Sequence, residues 1–134
     1  MTKWILIVAA IAIVLCGVAL LLVDVIPPET LTQIRMDGVT TRIADYYMAW
    51  QKLPMSLSDL PPSKDNRHDK VVDGWGKELI YSRDSAEAFT MSSLGADGAP
   101  GGDGKNADIE VSYKLVNGKW VLTHCSPNWY RSDE

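Results

Sequence analysis

The sequence predicts an α+β fold in which an N-terminal transmembrane helix precedes an amphipathic helix packed on a small antiparallel sheet, with a long glycine-rich loop and a C-terminal β-hairpin. Three observations predict it: a long uncharged run near the N-terminus, apolar residues at helical spacing after it, and short β-rich runs that end in a hairpin motif. The 134 residues carry a net charge of −4, and this length suits one small domain plus an anchor. We therefore divide the chain into an anchor, residues 1–26, and a domain, residues 27–134.

The anchor is the run from Trp4 to Val23, which contains no charged residue. Twenty residues at about 1.5 Å each match the roughly 30 Å thickness of the hydrocarbon layer, so the run predicts a membrane span. A cleaved signal peptide is the competing interpretation, but the run is longer than a usual signal sequence and no small-x-small site follows it. Lipidation at Cys16 is disfavoured, because lipoprotein peptidases require a small side chain directly before the cysteine and this chain has Leu15 there.

Charge gives the orientation of the span. Lys3 precedes it, and Asp24 and Glu29 follow it. Because positive residues stay in the cytoplasm, we expect the domain to face the periplasm or the outside of the cell.

The amphipathic helix is predicted from Glu29 to about Trp50, after a break at Pro27-Pro28. The side chains expected to face the core are Leu31, Ile34, Val39, Ile43, Tyr46 or Tyr47, and Trp50. Those expected to face solvent are Gln33, Arg35, Asp37, Arg42 and Asp45. Leu53-Pro54 closes the helix, and Leu57 and Leu60 are expected to hold the next loop to the same core. A charged loop follows, from Pro61 to Lys70, in which His68 has no second ligand nearby.

Four β-rich runs are predicted: Glu78 to Ser82, Ala88 to Ser93, Glu110 to Val116 and Lys119 to His124. Asn117-Gly118 joins the last two, and both residues tolerate the positive φ that a two-residue hairpin turn needs. The tail from Cys125 carries Trp129 and Tyr130, which either pack on the hairpin or meet a partner. Cys125 cannot pair with Cys16 if that residue lies in the bilayer, which leaves an intermolecular disulfide open.

The long loop between Leu94 and Ile109 has five glycines and almost no bulky apolar side chain, so burial is a poor means of ordering it. Oxygen-bearing side chains are concentrated there instead: Asp97, Asp103, Asn106 and Asp108. Carboxylates, amides and backbone carbonyls are the ligands that Ca²⁺ prefers. The spacing is not that of an EF-hand, and a solvated turn is the alternative.

Three motifs in order resemble the major pseudopilin of type II secretion systems. Ser93 to Gly98, Gly101 to Gly104 and Asn106 to Ile109 look like its calcium loop, and Asp73-Gly74-Trp75-Gly76 resembles its D-P-W-G turn. Tyr46-Tyr47 and the segment from Leu53 to Leu60 are similar to the end of its helix. The likeness covers about residues 31–109.

The resemblance implies a structural protein with Ca²⁺ fixing the loop. It places a ligand at Asp97 with the Leu94 carbonyl beside it, and further ligands at Asp103, Asp108 and Asn106. The implied partners are other subunits of the secretion machine or pseudopilus, including further copies of this chain, at the bacterial inner membrane with the domain in the periplasm.

The N-terminus departs from that family. Pseudopilins begin with a basic leader cleaved at a glycine and carry a glutamate inside the apolar helix, whereas Trp4 to Val23 has no carboxylate. We therefore expect a pseudopilin-like domain on an unprocessed single-pass anchor, in or beside a secretion or pilus-like machine.

Other functions fit less well. A calcium-dependent, membrane-tethered protein-binding module unrelated to secretion is the alternative. An enzyme is not expected, because the sequence offers no catalytic constellation. The negative charge and the lack of a basic stripe also disfavour nucleic-acid binding.

Overall fold

The computed structural model describes residues 5, 7–9, 11–14, 26–63 and 70–127. Most of the predicted span from Trp4 to Val23 lies outside these residues, as do His68 and the aromatic pair Trp129-Tyr130. Among the described residues, none of the helices has both the length and the apolar character needed to cross a membrane.

Helix α1, Pro28–Trp50, is the long helix of the domain. Pro27 has the extended φ of −56° and ψ of 143°, and Pro28 follows at the first helical position, where its missing N–H costs nothing. At the other end Gln51 adopts the left-handed conformation, and its N–H bonds to the Tyr47 carbonyl at 2.7 Å. The predicted helix is confirmed, and it ends at Trp50, four residues before Pro54.

The buried face of α1 differs from the prediction. It is formed by Thr32, Met36, Val39, Arg42 and Ile43, whereas Ile34 and Trp50 are 43% and 64% exposed. The expectation that Arg42 faces solvent was therefore wrong. Its guanidinium donates to the Pro61 carbonyl at 2.9 Å and to the Leu60 carbonyl at 3.4 Å, so the loop supplies the acceptors that make its burial possible.

The sheet has four antiparallel strands in the order in which they occur along the chain. They are β1, Ile80–Ser85; β2, Ala88–Ser93; β3, Ile109–Val116; and β4, Lys119–Ser126. The predicted bounds of β2 are confirmed, but β1 runs from Ile80 to Ser85 and not from Glu78 to Ser82, because Glu78 forms an isolated bridge to Val72 instead. Asn117 and Gly118 have φ of 51° and 76°, which confirms the hairpin turn between β3 and β4.

The core lies between α1 and one face of the sheet. It contains Met36, Val39 and Ile43 from the helix, Phe89 and Met91 from β2, and Ile109 and Val111 from β3. Leu57 and Leu60 are also buried, as predicted, and Trp75 packs against this core from the turn before β1.

Trp120 of β4 joins the end of the helix to the sheet. Its ring meets Phe89 at 5.2 Å and Tyr47 at 5.3 Å, both in edge-to-face geometry. The β3–β4 hairpin is therefore packed against the helix and the rest of the sheet.

Candidate functional site

Backbone hydrogen bonds fold the loop from β2 to β3, residues 94–108, back on itself. The Ala96 N–H bonds to the Lys105 carbonyl at 2.8 Å, and a short 3₁₀ turn forms at Gly104–Asn106. Gly95 has a φ of 69°, and a Cβ there would lie 2.8 Å from the Asn106 carbonyl oxygen. This close approach requires glycine. It brings the two ends of the loop together, so the loop is compact.

The predicted ligands are distributed unevenly over the loop. Asp97 and Asp103 are exposed, while Leu94, Asn106 and Asp108 are half-buried. Asp97 Oδ1 accepts the Ala99 N–H at 3.1 Å, which closes a local turn. Within the described part of the chain, no three His, Cys, Asp or Glu residues are grouped closely enough to hold a metal ion.

Among the predicted ligands, Asp108 fits a metal ion best. Its Oδ2 accepts the Gly101 N–H at 2.9 Å, but its Oδ1 is buried and has no hydrogen-bond partner. A buried carboxylate oxygen without a partner costs free energy, and a bound cation would remove that cost. This oxygen therefore fits the calcium that the resemblance implies.

A second centre, not predicted from the sequence, lies beneath the loop at Asp73. Its side chain is fully buried. Oδ1 accepts the N–H groups of Trp75 and Lys77, each at 2.9 Å, and Oδ2 accepts the Ser93 hydroxyl at 2.7 Å. The Ser93 oxygen in turn accepts the Gly95 N–H at 3.2 Å. One carboxylate thus joins the turn before β1 to the start of the long loop.

The same turn is fixed to the start of α1. The Gly74 N–H donates to Thr32 Oγ1 at 2.8 Å, and the Arg35 guanidinium donates to the Asp73 carbonyl. A Cβ at Gly74 would lie 1.8 Å from the Pro28 carbonyl oxygen. Glycine therefore stands where the related turn motif has proline because the helix leaves no space for a side chain.

Lys77 connects the turn to the loop directly. Its ammonium donates to the Gly95 carbonyl at 3.2 Å and to the Ala96 carbonyl.

One of these two residues could have been identified from the sequence. Asp73 begins a glycine-flanked turn, where an aspartate often accepts nearby backbone N–H groups. Nothing in the sequence marks Lys77.

The helix, the turn and the loop all lie in a part of the sequence that matches a protein family. The sequence matches the family model of type II secretion system protein G over residues 29–112, more than half of the chain. The chain belongs to this family. Membership of the protein G family makes it a pseudopilin-like component of a secretion system, and other subunits of that machinery are its partners.

The match to protein G does not cover the whole sheet. It begins at the second residue of α1 and ends at Ser112 within β3, so the end of β3 and all of β4 lie beyond it. No curated protein and no solved structure matches the chain.

Proposed function

We propose that this protein is a membrane-anchored pseudopilin-like subunit of a type II secretion machine whose β2–β3 loop binds Ca²⁺. Family membership supports the secretion role. The apolar run from Trp4 to Val23 supports the anchor in the bacterial inner membrane, with the domain in the periplasm. Its role is structural and not enzymatic.

The buried Oδ1 of Asp108 carries the calcium part of the proposal. In this proposal Asp108 and Asp97 supply carboxylate oxygens, and Asp103, Asn106 and the Leu94 carbonyl supply the others. Ca²⁺ takes six to eight oxygen ligands in flexible geometry and accepts carbonyls and water among them, so a loop with few grouped carboxylates can still hold it. When bound, the ion fixes the loop and has no part in a reaction.

Calcium is expected to raise the melting temperature of the full chain in a mild detergent. An ion that binds only the folded state adds about 2.7 kcal/mol at a hundredfold excess over its Kd, which corresponds to a shift of several degrees. The measurement is thermal unfolding in EDTA and in millimolar CaCl₂, for the wild type and for Asp97→Ala and Asp108→Asn.

Both variants are expected to lose the calcium-dependent shift. Asp45→Asn is the control, because Asp45 lies on the exposed face of α1 and should keep the shift. A wild-type melting curve that is the same in EDTA and in calcium would disprove the metal site.

The secretion role is tested separately by cross-linking in cells. We expect the protein to be captured with the ATPase or the platform protein of a type II secretion system. An alkaline phosphatase fusion after Asp24 should be active if the domain faces the periplasm. Capture of neither component, with an inactive fusion, would contradict the proposed role and location.

A further inference from the structure

Lys77 holds the first turn of the β2–β3 loop in the manner of a bound cation. Its ammonium donates to two consecutive carbonyls, those of Gly95 and Ala96. An ammonium has three donors and no acceptor, so it can serve several oxygens at once. Within the described residues, Lys77 forms no ion pair with a carboxylate, and its charge is directed to these backbone oxygens.

The backbone of Lys77 is fixed before its side chain reaches the loop. Its N–H is bound by Asp73 Oδ1 at 2.9 Å, and its carbonyl accepts the Asp73 N–H at 2.7 Å. Because Asp73 is fully buried, the point from which the side chain extends is rigid. A long, flexible lysine therefore loses less conformational freedom on reaching the carbonyls than it would on a mobile turn.

Gly98 lies beside this side chain and has a φ of 66°, a left-handed conformation that favours glycine. A Cβ at Gly98 would lie 3.1 Å from Cε and 3.2 Å from Cδ of Lys77. The Gly98 N–H bonds to the Gly95 carbonyl at 3.3 Å, which closes the turn above the ammonium. Glycine at this position permits the positive φ with which the turn lies against the lysine stem.

The two halves of the loop thus differ in what they offer a cation. The carbonyls of Gly95 and Ala96 already have a positive group, whereas Asp108 Oδ1 has no partner. We propose that Lys77 is a built-in cation that orders residues 95–98 without metal, and that calcium bound at the site proposed above adds to this order and does not replace it. The second clause rests on the calcium site proposed above; the first does not.

The test is amide hydrogen exchange of the full chain in detergent, with EDTA present. Lys77→Met keeps most of the aliphatic stem and removes the charge. We expect the amides of Ala96 and Gly98 to exchange about ten- to a hundredfold faster in this variant, the range that loss of charge-assisted hydrogen bonds predicts. Lys105→Met is the matched control, because Lys105 is an exposed lysine of the same loop, and it should leave these amides unchanged.

Unchanged exchange in Lys77→Met would overturn the role of the lysine. Adding calcium then tests the second clause: protection of Ala96 and Gly98 should stay below that of the wild type in this variant, and full restoration by calcium would overturn that clause. Should calcium leave the wild-type melting curve unchanged, the metal site fails while the result in EDTA still decides the role of Lys77.

A measurement on the wild type covers the case in which Lys77→Met does not fold. In ¹⁵N-lysine-labelled protein, the ammonium of Lys77 should give a resolved signal, because its protons are held by two carbonyls and exchange slowly with water. An ammonium that exchanges as fast as those of the exposed lysines would contradict the proposal.

Discussion

At the scale of single residues, Asp73 connects parts of the chain that are far apart in sequence. Both oxygens of its buried carboxylate accept hydrogen bonds, from two backbone N–H groups of its own turn and from Ser93 at the end of β2. Charge-assisted bonds of this kind are the strong ones in proteins. The residue therefore helps to hold the turn and the loop together.

Asp73→Ala is expected to lower the free energy of unfolding by about 2–4 kcal/mol, because three donors lose their acceptor in a buried place. Urea unfolding followed by circular dichroism measures this change. Asp45→Ala, on the exposed helix face, should change the stability by less than about 0.5 kcal/mol. Similar values for the two variants would show that the Asp73 bonds contribute little.

Tyr81 gives the fold a dependence on alkaline pH. Burial raises the pKa of Tyr81 from 10.0 to about 12, and its hydroxyl donates to the Pro54 carbonyl at 3.0 Å. The unfolded tyrosine ionises from about pH 10 while the folded one keeps its proton, so unfolding releases a proton in this range. This contribution to stability is complete below pH 10 and is lost as the pH rises toward 12.

The corresponding measurement is urea unfolding of the wild type and of Tyr81→Phe between pH 8 and pH 12. The wild type should lose more stability than the variant above pH 10. Parallel curves for the two proteins over the whole range would argue against a raised pKa.

At the scale of elements, the helix and the hairpin could be predicted because their signals are local. Pro28 and Glu29 mark the start of α1, and Asn117-Gly118 determines the β3–β4 turn. The buried face of α1 could not be predicted as well. Arg42 is buried only because the Leu60 and Pro61 carbonyls meet it, and no local pattern reports a contact formed 18 residues away.

Strand β4 is expected to be necessary for the fold although it lies outside the family match. Trp120→Ala should cost about 2–3 kcal/mol, because the ring covers Phe89 and Tyr47. Val121→Ala is the matched control, since the neighbouring side chain points to the other face and is exposed. Thermal unfolding compares the two, and equal melting temperatures would show that β4 is a dispensable addition.

At the scale of the whole molecule, three motifs in the right order were enough to predict the family, and the match over residues 29–112 confirmed it. The candidate site was predicted less completely. The oxygen-rich composition of residues 97–108 pointed to the loop, but the contributions of Asp73 and Lys77 depend on contacts between separate turns. Such contacts are set by the tertiary fold, which composition does not encode.

The close fit of Gly74 against Pro28 has a mechanical consequence. Tension applied to the chain at residue 26 enters the domain at Pro28, where the helix already touches the turn and where Thr32 and Arg35 bind it. The hydrogen bond between Asp73 and Ser93 transmits this force to the sheet, so the force does not act on the first turn of the helix alone. The start of the helix, the turn and the sheet are thus held together as one unit.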